Sequence, residues 1–202
     1  MLPYRHNVGV RYLELGVLGG ASLNAMHEYF TNTDRVVGID INPASKQHQD
    51  VSKDIYVEVG SQDDSEFLTH VHNIHGPFDV MLDDASHVGR LTIESFKILF
   101  PLLKNGGLYI VEDTVAFREE LGYFQDLIRY GLNEWRFDDG IDGHDHCIDP
   151  YKMNRNYFQI ESSTLQSQQH DEFDRMLIFS SIGEITYSNS CILITKDVKY
   201  HW

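Results

Sequence analysis

Two short apolar runs in this chain end in acids. In Phe78-Asp-Val-Met-Leu-Asp-Asp-Ala-Ser-His87, the run Val80-Met81-Leu82 leads into Asp83 and Asp84, and Ser86 and His87 follow. In Gly107-Leu-Tyr-Ile-Val-Glu-Asp113 the run closes on Glu112 and Asp113. Apolar runs of this length bounded by turn residues read as buried strands of a parallel sheet. Ligands of such sheets bind just beyond the carboxyl ends of the strands. Asp84, Glu112 and Asp113 on neighbouring strand ends would converge on one point, where three carboxylates repel unless a cation lies between them. A hard cation such as Mg²⁺ takes oxygen ligands, and it lowers the pKa of a hydroxyl that it binds. Imidazole suits proton removal near neutral pH, so His87 is the candidate general base. A plainer reading stays open, in which Ser86 or Asp84 caps a helix, Asp113 caps another and Glu112 faces solvent.

The elements that must hold these groups follow in order. Arg11–Gly16 reads as a first strand, Ser22–Phe30 as a helix and Arg35–Asp40 as a second strand. Asp54–Gly60 is a third strand and Phe67–Ile74 its helix, before the strand at Phe78–Asp83. Leu91–Leu103 carries Ile93, Phe96, Leu99, Phe100 and Leu103 on one face, and Asn105-Gly-Gly107 stops it. Gly107–Asp113 is the fifth strand, and residues 117–130 have helical spacing. Met176–Ser180 and Ser190–Thr195 read as a terminal antiparallel hairpin. Alternating strands and helices with short links predict an α/β fold. It is a doubly wound, mostly parallel seven-stranded sheet in a single domain spanning 1–202. Between about 135 and 170 periodicity is lost, as in a lid or binding loop over an acceptor.

At the other end of the expected site, Glu14-x-Gly16-x-x-x-Gly20 follows the first strand. Glycines there let backbone N–H groups approach a ligand at a helix N-terminus, although tight-turn chemistry alone accounts for Gly19 and Gly20. A dinucleotide fingerprint needs glycine where this chain has Leu18, which disfavours a diphosphate. Asp40 ends the second strand, placed to accept two ribose hydroxyls or else to cap a turn before Pro43. The glycine segment resembles the S-adenosylmethionine loop of class I methyltransferases, whose Rossmann-like sheet also ends in an antiparallel hairpin. That resemblance assigns Glu14, Gly16, Gly20, Ser22, Asp40, Ser61 and Gln62 to the cofactor, with Gly60-Ser61-Gln62-Asp63 along the adenine edge. Asp83, which alternation turns away from Asp84, faces the cofactor or supports the loop.

Leu82-Asp-Asp-Ala-Ser-His87, Ser95-Phe, Leu99-Phe-Pro101 and Gly106-Gly-Leu-Tyr-Ile-Val-Glu-Asp113 resemble the macrocin/mycinamicin-type sugar O-methyltransferases, over about residues 11–115. The resemblance implies Mg²⁺ on Asp84, Glu112 and Asp113, with His87 as base. It also implies S-adenosylmethionine as methyl donor and a sugar or glycosylated small metabolite as acceptor. Ala85 stands where the family has Gly, and Ser61 replaces the Asp of Gly-Asp-Gln. This sequence is also shorter than the mycinamicin type, so acceptor and assembly do not carry over. A homo-oligomer is an expectation from the family alone.

A formal charge of −15 speaks against nucleic acid and anionic membranes as partners. Two cysteines are too few for a disulfide framework, and no run has the length of a membrane span or the pattern of a leader. These features predict a cytoplasmic protein. His144, His146 and Cys147 crowd too closely for a usual zinc site, and Tyr151, Arg155 and Tyr157 are candidates for contact with a sugar. Two rival functions follow from the same fold. One is a nicotinamide-dependent oxidoreductase, against which Glu14 and Leu18 speak. The other is a non-catalytic S-adenosylmethionine-binding module, which has no use for the acids and His87.

Overall fold

Strand register in this chain lines up the ends that carry the acids. A computed structural model describes residues 2–114, 122–125, 127, 178, 181–188 and 190–197. The strands are β1 (Val10–Leu15), β2 (Thr33–Asp40), β3 (Ile55–Val59), β4 (Val80–Asp83), β5 (Leu108–Val111), β6 (Ile182–Tyr187) and β7 (Ile192–Lys196). They form one seven-stranded sheet in the order β3-β2-β1-β4-β5-β7-β6. The first five are parallel, while β7 runs antiparallel to both β5 and β6. Leu15 pairs with Ile39 on one side and Asp83 on the other, and Asp83 pairs with Val111. The order reverses between β1 and β4, which is where a crevice opens in such sheets.

Helices α1 (Ala21–Tyr29), α2 (Ser65–His75) and α3 (Gly89–Leu99) follow β1, β3 and β4. Asp64 caps α2 by accepting from the Phe67 N–H at 3.0 Å. Pro101 has no N–H for an α-helical bond, so the helix expected to reach Leu103 stops at Leu99 and continues as a 3₁₀ turn, Phe100–Leu102. Alternation along the strands divides the core. Leu13, Leu15, Met81, Tyr109 and Val111 pack with Leu68, Phe96 and Leu99 of α2 and α3. Tyr12, Val80, Leu82 and Ile110 pack with Leu23 of α1 on the opposite face.

The strand expected at Met176–Ser180 lies elsewhere. Ile178 is helical and buried, and β6 is at Ile182–Tyr187. An apolar run does not by itself separate buried helix from buried strand, and β6 is an edge strand whose positions are mostly exposed. Residues 122–125 and 127, within the helix expected over 117–130, are helical, and Phe124 and Leu127 are buried. The segment from 135 to 170, with its histidines, cysteine and aromatics, lies outside the described residues. Among the described residues no helix is long and apolar enough to cross a membrane.

Candidate active site

The β1–α1 turn is built around close approach of two backbones. Gly16 has φ +95°, and a Cβ at this position would lie 2.2 Å from the carbonyl oxygen of Asp84. Only glycine admits the end of β4 so near. Asp84 donates its N–H to the Leu15 carbonyl at 3.0 Å, closing the same junction. Gly20 has φ +70° and lies against His48, whose side chain a Cβ would meet at 2.6 Å.

Glu14 and Asp40 stand on either side of this turn. Glu14 is 1% exposed. Its carboxylate accepts from the Tyr12 hydroxyl at 2.9 Å and from the Ser22 hydroxyl at the start of α1. Burial pushes its pKa up to about 7; the bonds from Ser22 and Tyr12 oppose the rise, and Asp84 and Glu112 add to it. Asp40 Oδ2 accepts from the N–H groups of Val17 and Leu18 at 3.0 Å each, and Oδ1 accepts from Asn42 N–H at 2.8 Å. Burial works to raise the Asp40 pKa, but donation from Asn42, Leu18, Ser45 and Val17 holds it below the usual carboxylate value. Asp40 therefore organises the glycine turn and stays ionised at its edge. Leu18, whose N–H donates to Asp40, and Ile41, next to Asp40 in the chain, are 92% and 74% exposed.

Asp83 turns the other way, toward α3, and is 2% exposed. It accepts from the Ser95 hydroxyl and, at 3.4 Å, from the Gln62 amide. Burial raises its pKa to about 6, against the bonds from Ser95, Ala85 N–H and Gln62. Gln62 is itself buried, and its Oε1 accepts from Ser86 N–H at 3.2 Å. Ser61 donates to Asp63 within the same turn. Of the residues assigned to the cofactor by sequence, Glu14, Gly16, Gly20, Ser22 and Asp40 gather around the β1–α1 turn. Asp83 and Gln62 are joined to each other beneath the β4–α3 loop. Sequence reasoning gave no role to Tyr12, Ser95 or His48; alternation puts Tyr12 on the face of Glu14, which was a usable signal for that residue alone.

His87 Nε2 lies 3.9 Å from Asp84 Oδ1 and 3.9 Å from Asp113 Oδ2. Asp84, His87 and Asp113 each offer a ligand atom within 4.8 Å of the others. His87 is not a helical turn beyond Asp84 as the spacing suggests. It sits in a loop with φ +53° before α3, and Asp113 has φ +56°. Such backbone is costly for side-chain-bearing residues and concentrates at functional sites. Glu112 stands outside the 4.8 Å group but within reach of its charge. Burial, then Asp84, then Asp113 raise its pKa, and burial and Asp113 likewise raise that of Asp84, against His87. Acids held this close to one another favour either a proton or a cation, and their oxygen donors suit a hard divalent ion.

Residues 13–114 match the protein family described as "Methyltransferase domain". The chain is 41% identical over 111 residues to the 8-demethyl-8-(2-methoxy-alpha-L-rhamnosyl)-tetracenomycin-C 3'-O-methyltransferase of Streptomyces olivaceus, covering 52% of this chain and 27% of that protein. It is 39% identical over 114 residues to the mycinamicin VI 2''-O-methyltransferase of Micromonospora griseorubida, covering 53% of this chain and 28% of that protein. Among solved structures, the MycE methyltransferase in complex with Mg and SAH superposes with a TM-score of 0.69 at 25% identity, over 96% of this chain and 46% of that one. MycE has also been solved with Mg, SAH and mycinamycin VI, and there the TM-score is 0.68. The chain thus spans just over a quarter of the length of these curated relatives.

Proposed function

The chain belongs to the methyltransferase domain family, and on that premise we propose that it transfers a methyl group from S-adenosylmethionine to a hydroxyl of a sugar or glycosylated small metabolite, with a hard divalent cation. The observation that carries this reading is the cluster of Asp84, His87 and Asp113 with Glu112 beside it after β4 and β5, with the glycine turn and Asp40 at the ends of the neighbouring β1 and β2. Transfer to a hydroxyl needs the donor and acceptor held in line and the hydroxyl proton removed as its oxygen attacks.

When bound, a cation such as Mg²⁺ supplies positive charge that makes a hydroxyl more acidic, and the cofactor supplies the methyl group. Asp84, Glu112 and Asp113 would hold the cation. His87 Nε2, 3.9 Å from both Asp84 Oδ1 and Asp113 Oδ2, would accept the hydroxyl proton. Asp40 would take the ribose hydroxyls by exchanging donors it now holds, since Val17, Leu18, Asn42 and Ser45 already occupy its roughly four lone-pair sites, while Glu14, Gly16, Gly20 and Ser22 shape the turn beneath the cofactor. Ser61 and Gln62 would border the adenine. Support for a sugar acceptor comes from relatives whose names specify O-methylation of a rhamnosyl-tetracenomycin and of an L-olivosyl-oleandolide.

The test is methyl transfer from labelled S-adenosylmethionine to a panel of deoxysugar glycosides, with Mg²⁺ and after exhaustive EDTA treatment. Transfer is expected only with the metal, and full activity after chelation would remove the carboxylates from metal binding. S-Adenosylhomocysteine should bind in isothermal titration and fail to bind Asp40→Ala, whereas tight NAD binding would point to an oxidoreductase. For His87→Ala, turnover should fall by about 10²-fold or more with S-adenosylhomocysteine affinity kept. Near-normal turnover would exclude His87 as the base.

A further inference from the structure

Three consecutive backbone amides precede His87, and each is tied to a different part of the fold. Asp84 N–H donates to the Leu15 carbonyl of β1 at 3.0 Å. Ala85 N–H donates to the Asp83 carboxylate. Ser86 N–H donates to Gln62 Oε1, at 3.2 Å, from the turn after β3. The second and third of these ties share one source. Gln62 Nε2 donates to both Asp83 oxygens at 3.4 Å, so a single amide group joins Asp83 to the backbone of Ser86. Behind Asp83, the hydroxyl of Ser95 donates to Oδ2 from the middle of α3, where Ser95 is fully buried.

A carboxylate this deep is costly to bury without a cation, and an apolar side chain would fill the same space more cheaply. Of its partners, Ala85 belongs to the β4–α3 loop, Gln62 leads to it, and Ser95 anchors the carboxylate to α3, with its hydroxyl also 3.0 Å from the Thr92 carbonyl. We propose that Ser95, Asp83 and Gln62 form a positioning relay that fixes the Asp84–His87 loop and so sets how Asp84 and His87 are presented. The assignment deepens the reading of this loop as a metal-and-base centre and rests on it for the purpose of the relay. The hydrogen-bond chain from α3 to Ser86 stands on its own geometry.

Two measurements on the full chain separate these levels. One is hydrogen exchange at the Ser86 amide by NMR, which needs no metal. The other is Mn²⁺ affinity by electron paramagnetic resonance. In Ser95→Ala the Ser86 amide should exchange about ten-fold faster, and Mn²⁺ should bind about ten-fold more weakly, the usual scale for losing a partner behind a metal ligand. Ser95→Thr keeps the hydroxyl and should restore both. Gln62→Leu should behave like Ser95→Ala, and the double variant should be no worse than Gln62→Leu alone, since the two act through one chain of bonds. Phe100→Leu, a core change beyond the relay, should lower the melting temperature and leave Ser86 protected. Unchanged Ser86 exchange in Ser95→Ala, or additive effects in the double variant, would overturn the relay. A wild-type protein that binds no Mn²⁺ would instead sink the metal reading, with Ser86 exchange still deciding the relay.

Discussion

Glu14 concentrates the electrostatic cost of this site in one side chain. Its carboxyl is buried beside Tyr12 and Ser22 and within the field of Asp84 and Glu112, and its pKa rises from 4.5 to about 7. Below pH 4.5 it is protonated in both folded and unfolded chains. Between 4.5 and about 7 the folded chain keeps a proton that the unfolded chain has lost, so stability falls as pH rises through that window. The full shift corresponds to roughly 3 kcal/mol as an upper figure. Glu14→Gln removes the charge and keeps one acceptor oxygen; Tyr12 and Ser22 bond different oxygens, so the hydroxyl that meets the new NH₂ must turn to accept from it. Urea unfolding in EDTA should find it about as stable as wild type at low pH and more stable, by about 1–3 kcal/mol, above neutrality. A flat difference across pH would mean that Glu14 does not carry this proton. The identities of Asp84, His87 and Asp113 as candidates were plain from residue type and spacing. The tie between Glu14 and Ser22 was not, because it depends on α1 starting where Gly20 turns.

At the scale of elements, the β1–α1 turn and the β4–α3 loop fold against each other. Gly16 is the point of contact, with φ +95° and the Asp84 carbonyl where a side chain would begin. Gly16→Ala must therefore accept left-handed backbone strain and push β4 away from β1. We expect a loss of about 2–4 kcal/mol in urea unfolding, together with loss of Mn²⁺ binding as the Asp84 loop moves. A variant of wild-type stability would show that this contact relaxes freely. The glycine was legible in the sequence as a turn residue facing a ligand. That it also admits the backbone of Asp84 was not legible, since residues 16 and 84 meet only through the pairing of β1 with β4. The helix boundaries were legible to within a turn, and Pro101 explains the largest departure. The strand expected at 176–180 failed because the edge strand β6 lacks the apolar run used to find strands, while the run before it in the sequence holds Ile178, which is helical and buried.

For the molecule as a whole, the sheet order brings five parallel strand ends into one line and reverses between β1 and β4, the place where such sheets bind ligands. The acids gathered there carry repulsion that a cation would relieve. Mg²⁺ should then stabilise the folded chain by mass action, by about 2.7 kcal/mol at a concentration one hundred times its Kd. Thermal unfolding should register this as a rise in Tm that EDTA reverses and that Asp84→Asn abolishes. A Tm indifferent to Mg²⁺ would argue against binding at this cluster. Lys196 closes the far side of the sheet, its ammonium donating to the carbonyls of Pro101 and Leu103 at 2.7 Å each. This long-range tie holds β7 beside the turn that ends α3.

Residue chemistry and local periodicity alone determined the alternation of strands and helices, the acids at the ends of β4 and β5, and the glycine turn after β1. These are properties of short segments, written in neighbouring residues. Alternation along β4 already separates Asp83 from Asp84, but only the tertiary structure decided what each of them meets. Strand alternation and register send Asp83 under α3 to Ser95 and Gln62, and bring Asp84 and Asp113 each to 3.9 Å from His87 Nε2. Gln62 meets Ser86 across 24 residues and Ser95 meets Asp83 across 12, contacts made by the packing of the β3–α2 turn and α3 against the end of β4. A side chain's neighbours across a sheet depend on register and packing, and no spacing along the chain encodes either.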